Sequence, residues 1–269
     1  MSVSRILAAF FVSGAASVAF GQALTFPSPL PVFDAESDGG IFLPESIIGP
    51  SSLVDITTLR DSNFYDMARV VARVEKLDGD GFCTGSRIGE NLFITNFHCW
   101  EYGQMDVQFH LGYETGAAED NQAIYKATAV IEKFEQLDFA IYRVERTDTN
   151  TVEFPIATLS KQALVMNMPL IVPGHPAART KEIDLSDSCR MTRIVPYDFY
   201  NRLNVQHQCD TEGGNSGSPV MDRDSGHIVA LHWGATGGTD SNHAIPMNLI
   251  LERMQTMYPD VYAELTVFE

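Results

Sequence analysis

Beyond Met67 the chain alternates short apolar runs with clusters of Gly, Asn, Asp and Pro. Ala68–Leu77 carries Val70, Val71 and Val74, and Leu92–Thr95 is a compact apolar run. Asp106–His110, Ala127–Ile131, Phe139–Val144, Leu170–Pro173, Leu203–Gln206 and His227–Leu231 follow the same style. Runs of this length, rich in branched and aromatic residues and closed by turn residues, predict β-strands. No amphipathic helix separates them, so the pattern predicts an all-β sandwich or barrel. Only the end changes period: Met247, Ile250, Leu251, Met254 and Met257 recur at helical spacing, with Pro246 suited to the start of a helix. That apolar stripe reads as core packing.

The first residues follow another pattern. Arg5 precedes the apolar, small-residue run Ile6–Phe20, which at roughly 15 residues is shorter than the about 20 that a membrane span needs. Residues 1–21 therefore read as a secretory signal, cut after Ala19-Phe20-Gly21. No later stretch is long and apolar enough to span, which predicts a secreted or periplasmic protein without stable membrane association. Residues 22–45 are rich in Pro, Gly, Ser and acids and read as a linker or pro-segment.

Charge removes further classes. The 269 residues carry 35 Asp+Glu against 18 Lys+Arg, a net charge of −17. Nucleic-acid affinity comes chiefly from basic side chains on phosphates, so such a partner is disfavoured, as is an anionic membrane. The four cysteines, Cys83, Cys99, Cys189 and Cys209, all follow the signal, and an even count in an oxidising compartment points to disulfides. Three pairings are open; pairing neighbours closes two short loops. His98 beside Cys99 and His207 near Cys209 raise zinc as an alternative. No Cys-x-x-Cys or His-x-x-x-His spacing supports it, and no metal is expected.

Candidate chemistry lies in three segments. Cys83 to Cys99 ends in Thr95-Asn-Phe-His98-Cys99, a histidine delivered at the end of a strand-like run. Asp138 immediately precedes the apolar run Phe139–Val144. Cys209-Asp-Thr-Glu-Gly-Gly-Asn-Ser216-Gly-Ser-Pro-Val surrounds a serine with glycines, which permit a tight turn with converging backbone N–H groups. Each is bland alone, as a strand-end histidine, a turn aspartate and a β-turn. Together they supply base, orienting acid and nucleophile.

The order His, Asp, Ser, with Thr-Asn-x-His-Cys and Gly-Asn-Ser-Gly-Ser-Pro-Val, resembles the chymotrypsin-fold serine peptidases, and in particular their bacterial glutamyl endopeptidase branch. The likeness runs from Ser46 to the C-terminal helix. An α/β-hydrolase is disfavoured, because Ser218 stands where its Gly-x-Ser-x-Gly elbow needs the last glycine and the order of residues is reversed. The resemblance implies two antiparallel six-stranded β-barrels, over 46–155 and 156–269, the second followed by the terminal helix. It implies a His98/Asp138/Ser216 triad, an oxyanion hole at the N–H groups of Gly214 and Ser216, and a Cys83–Cys99 disulfide. A Cys189–Cys209 bond is a separate expectation. Protein or peptide substrates, a monomer and no cofactor are further expectations. Asn215 replaces the aspartate with which animal relatives bind their new N-terminus, so any zymogen switch must differ.

For specificity, Thr211 and His232, in Leu231-His-Trp233-Gly234, match positions that help bind a substrate carboxylate in the glutamyl branch. Glu45-Ser46 resembles its pro/mature junction. A protonated His232 beside that carboxylate would strengthen binding. Asp210 offers the competing reading, because it occupies the position from which trypsin-like enzymes bind Lys or Arg. A different class of function is a catalytically inactive pseudo-peptidase that uses the double barrel to bind.

Overall fold

The computed structural model describes residues 46–195, 204–235 and 241–269. The signal and linker expected over 1–45, and Leu203 in the predicted Leu203–Gln206 strand, lie outside the described residues. The strands are β1 (Leu53–Asp55), β2 (Val71–Lys76), β3 (Gly81–Gly89), β4 (Leu92–Thr95), β5 (Val107–Leu111), β6 (Ala123–Phe134), β7 (Phe139–Arg146) and β8 (Thr158–Ser160). They continue with β9 (Leu170–Gly174), β10 (Glu182–Asp184), β11 (Met191–Val195), β12 (Asn204–His207), β13 (Pro219–Asp222), β14 (Ile228–Ala235), β15 (Asn242–Pro246) and β16 (Thr266–Phe268). Four short helices are described: α1 (Asn63–Ala68), α2 (Phe97–Gly103), α3 (Met247–Met257) and α4 (Pro259–Tyr262).

The first half closes into a barrel in the order β2-β3-β4-β7-β6-β5, every pair antiparallel. Its alternating inward positions bring Phe93, Phe109, Tyr125 and Tyr142 together, with the Phe93 and Phe109 rings stacked at 4.6 Å. In the second half, β9-β13-β14-β15-β12-β11 are hydrogen-bonded in that order. An antiparallel bridge between Pro169 and Arg190 joins the two ends, with Leu170 N–H donating to Cys189 O at 2.9 Å and Met191 N–H to Met168 O at 3.0 Å. Six strands thus close a second ring, around Leu170, Val172, Met191, Val205, Val220 and Ala244. The fold is the double barrel of the chymotrypsin type with a C-terminal helix. β10 and β1 extend from β9, and β8 and β16 attach in parallel beside β14.

β4 matches its predicted span, while β6 runs well past Ala127–Ile131. β3 was not predicted as a strand. Its Thr84, Ser86 and Arg87 are buried rather than solvent-facing, and Arg87 Nη1 and Nη2 donate to the carbonyls of Phe154 and Glu90. Apolar alternation does not register a strand that buries polar side chains with partners. On α3, Met247, Ile250, Leu251 and Met254 are buried in a layer with Leu92, Phe139, Ile141 and Trp233, whereas Met257 is exposed. The predicted stripe therefore ends one turn early.

Candidate active site

His98 lies in the first turn of α2 rather than at a strand end; Asn96 caps the helix immediately after β4. Asp138 is fully buried in the turn before β7, in a left-handed conformation (φ 42°, ψ 50°). Its Oδ2 lies 3.0 Å from His98 Nδ1, and its Oδ1 accepts the His98 backbone N–H at 3.1 Å. Asn96 Nδ2 donates to the Asp138 carbonyl at 2.8 Å. A carboxylate can only accept, so the imidazole proton sits on Nδ1 and Nε2 is left as the basic nitrogen.

The Ser216 turn is carried to this pair by β3. A disulfide joins Cys83 to Cys99, with Cα atoms 6.3 Å apart, and so fastens β3 beside His98. The next residue, Thr84, donates its N–H to Ser216 O and its hydroxyl to Gly214 O, both at 2.8 Å. Cys99 Sγ lies 3.7 Å from the same Ser216 carbonyl. Gly217 (φ +87°) is needed here because a Cβ would collide with Thr84 O and Thr95 Oγ1. Gly217 N–H to His232 O, 3.0 Å, and His232 N–H to Ser218 O, 2.9 Å, fix the turn to β14. The sulfurs of Cys83 and Cys99 and a nitrogen of His98 cluster closely enough for a metal. Both sulfurs are spent in the disulfide, so neither can ligate as a thiolate.

The specificity candidates separate into two groups. Asp210 is 2% exposed, and its two carboxylate oxygens accept the N–H groups of Ile48 and Ser52, each at 2.7 Å. Its own N–H donates to Asp184, whose carboxyl burial pushes above the usual range. The same segment places Ser46 against Asn242: Ser46 N–H donates to Asn242 Oδ1 at 3.0 Å, and Asn242 Nδ2 donates to Ser46 O at 2.8 Å. Thr211 N–H also donates to Ser46 O, at 3.2 Å. The Thr211 hydroxyl is buried and without a hydrogen-bond partner among the described residues.

His232 is fully buried beside His207, whose Nδ1 accepts Cys209 N–H at 3.3 Å. That leaves the His207 proton on Nε2, which donates to His232 Nδ1 at 3.2 Å, so His232 carries its proton on Nε2. Burial, then the nearby charge of His98, pushes the His232 pKa down to about 3, partly offset by a hydrogen bond to the His243 backbone. With no carboxylate beside it, His232 is therefore neutral near pH 7. Trp233 is buried with its ring 5.4 Å from that of His243, and Gly234 (φ +149°) follows at a bulge in the β14–β15 pairing. Cys189–Cys209 is the second disulfide, seven residues before Ser216 at its nearer end. The two bonds fit an extracellular protein, and no helix among the described residues is long and apolar enough to cross a membrane.

His207, Asn242, His243, Thr84 and the docking of 46–52 on Asp210 were not anticipated as site features. The only signal was the placing of His207 two residues before Cys209, which had been weighed for zinc alone.

Comparison with known proteins gives a trypsin-like peptidase domain match over residues 79–231. The chain is 26% identical over 187 residues to secreted RxLR effector protein 73 of Plasmopara viticola, covering 64% of this chain and 46% of that protein. It is 24% identical over 169 residues to a glutamyl endopeptidase of Staphylococcus aureus, covering 60% of this chain and 48% of the relative. The chain thus spans just under half the length of these relatives. A solved Glu endopeptidase in complex with MPD superposes with a TM-score of 0.58 at 18% identity, over 78% of this chain and 98% of that one.

Proposed function

The chain belongs to the trypsin-like peptidase domain family, and from that premise we propose that it is a secreted serine endopeptidase acting through His98, Asp138 and Ser216. The observation that carries this reading is the Asp138–His98 pair at 3.0 Å, which leaves Nε2 basic on the side of the barrel that Thr84 ties to the Ser216 turn. Ser216 Oγ attacks the scissile carbonyl while His98 Nε2 takes its proton. The new C–O bond pushes the carbonyl electrons onto oxygen, where the N–H groups of Gly214 and Ser216 receive the charge. Collapse expels the amine, which takes the proton from His98, and leaves an acyl-enzyme; water, activated by the same nitrogen, then releases the acid. Losing one oxyanion donor typically costs about 10²–10³ in rate.

Preference for Glu before the cut is the reading of specificity that the site supports best. An amine released at Ser46 by cleavage after Glu45 would lie beside Thr211 and Asn242. The unpartnered Thr211 hydroxyl and neutral His232 supply further donors for a carboxylate, and binding that anion would raise the His232 pKa. Occupation of both Asp210 oxygens by backbone N–H groups counts against their use for Lys or Arg.

A fluorophosphonate that labels Ser216, together with a peptide library carrying Glu, Asp, Arg, Lys or Phe before the cut, tests both levels. Labelling abolished by Ser216→Ala and cleavage after Glu are expected. A chain that resists labelling is a pseudo-peptidase, and cleavage confined to basic residues sinks the glutamyl preference.

A further inference from the structure

The two N–H groups assigned to the oxyanion hole are aimed by different means. In a trans peptide the C=O and the following N–H point in opposite directions, so whatever holds the carbonyl of one residue aims the N–H of the next. Asn215 O, on the peptide plane of the Ser216 N–H, accepts Ser218 N–H at 2.8 Å within the same turn. Gly213 O, on the plane of the Gly214 N–H, accepts instead from Ala177 N–H at 2.5 Å. With glycine at both 213 and 214, that plane has no side chain of its own to resist rotation.

Ala177 belongs to the turn 175–179 after β9, where both Ala177 (φ 47°) and Ala178 (φ 56°) occupy the left-handed region that L-residues disfavour. Such a turn persists only where its surroundings over-determine it. Its own bonds are Ala178 N–H to His175 O, Arg179 N–H to Pro176 O and His175 Nδ1 to Arg179 O, at 2.9, 3.0 and 3.0 Å. It has two outer ties: His175 N–H donates to Thr84 Oγ1 at 3.0 Å, and Arg179 reaches two carboxylates. Nε and Nη2 meet Glu182 at 2.8 and 3.0 Å, while Nη1 and Nη2 meet Glu212 at 2.6 and 3.1 Å. Glu212 opens the nucleophile turn, and its carbonyl accepts Asn215 N–H at 2.9 Å. The packing is close, since a Cβ on Gly214 would lie 2.6 Å from His175 O and 2.8 Å from Ala178 N.

We propose that Arg179 is a positioning residue of the oxyanion hole: by clamping Glu212 to Glu182 it holds the 175–179 turn against the nucleophile turn, so that Ala177 fixes Gly213 O and aims the Gly214 N–H. The inference rests on the serine-peptidase reading above. It assigns Arg179 no contact with substrate. The Arg179 side chain is 40% exposed, so its ion pairs add little to global stability, and a purely structural role would leave turnover unchanged.

The test uses the full chain with Arg179→Gln and Arg179→Lys. The complete loss of an oxyanion donor costs about 10²–10³, so a partial loss of aim in Arg179→Gln should lower kcat about tenfold, with KM within about twofold. Affinity for a peptide aldehyde, whose hemiacetal oxygen enters the hole, should fall by a similar factor. Arg179→Lys keeps the charge without the fork and should recover part of kcat. An active wild type with kcat and aldehyde affinity unaltered in Arg179→Gln overturns the inference alone. A loss that tracks a fall in melting temperature across the variants overturns it in favour of simple destabilisation. A wild type that neither hydrolyses nor labels overturns the peptidase reading, and the inference with it.

Discussion

Replacing Asp210 by Asn separates two uses of this carboxylate. If it anchors residues 46–52, the variant should loosen that segment; if it binds basic side chains, the variant should lose cleavage after Lys and Arg. Asp210 is 2% exposed and accepts Ile48 and Ser52 N–H at 2.7 Å each. Asn has almost the same volume, but it keeps one acceptor and turns an NH2 group toward the other N–H. A hydrogen bond to a charged group is worth about 1.5–3 kcal/mol, and a buried donor left unmatched costs about 1–3 kcal/mol. Ile48 and Ser52 are only half-buried, so water offsets part of the loss. A net weakening of docking by about 2–4 kcal/mol follows. Because Ser46 sits beside Thr211 and Asn242, the variant should show a raised KM for substrates with Glu before the cut. Residues 46–52 should become protease-sensitive, and no basic cleavage should be lost. A library profile and limited proteolysis read both effects. Wild-type cleavage after Lys or Arg that vanishes in Asp210→Asn, with the segment still protected, would refute the reasoning.

Asp138→Asn preserves the buried volume but can present an amide N–H to His98 Nδ1, which drives the ring proton to Nε2. Turnover should fall by about 10⁴ with KM little changed, and steady-state kinetics showing a loss below tenfold would count decisively against the triad. The buried histidines govern acid stability. His232 has its pKa pushed from 6.5 down to about 3, and burial lowers His175 and His207 as well. Between those values the unfolded chain binds the extra proton, so stability present above pH 6.5 drains away as pH falls toward 3, by on the order of 5 kcal/mol for His232 alone. Urea unfolding at several pH values should show a shallower acid loss in His232→Gln than in wild type; parallel slopes would contradict it.

The strands of both barrels were legible where a continuous apolar run is buried, as at β4, β7 and the first half of β14. The Ser216 segment was legible because its glycines and small residues satisfy several local demands at once. β3 escaped because Thr84, Ser86 and Arg87 are buried polar groups, and the partners of the Thr84 hydroxyl and Arg87 Nη1, Gly214 O and Phe154 O, lie far off in sequence. His207 and His243 escaped for a related reason: they meet only through the β12–β15 register that pairs Gln206 with His243, and nothing local marks a histidine as the neighbour of another. Counting back from Ser216 singled out Asp210 but could not assign its partners, the Ile48 and Ser52 N–H groups. Those partners come from residues 46–52, whose irregular sequence gives no periodic signal for where it docks.

The halves that carry His98 and Ser216 are held together in a way that bears on salt. The N-terminal segment crosses to the second barrel, where Leu53 pairs with Asp184 and Ile56 N–H donates to Lys181 O at 3.1 Å. The C-terminal segment returns to the first, where Arg253 meets Glu132 at 2.8 Å and Glu264 meets Arg143 at 2.7 Å. Exposed pairs such as Arg143–Glu264 are worth at most about 1 kcal/mol and are weakened by salt. The larger share falls to the apolar layer of Ile56, Leu92, Phe139, Ile141, Ile250, Leu251 and Met254, which salt does not loosen. The catalytic geometry should therefore be insensitive to ionic strength. Encounter should not be: a chain of net charge −17 repels acidic peptides until the field is screened within about 10 Å at 0.1 M salt. Raising salt from about 20 to 200 mM should thus increase kcat/KM for acidic peptides while leaving kcat flat. A fall in kcat over that range would mean that the ion pairs, rather than the apolar layer, keep the two halves in register.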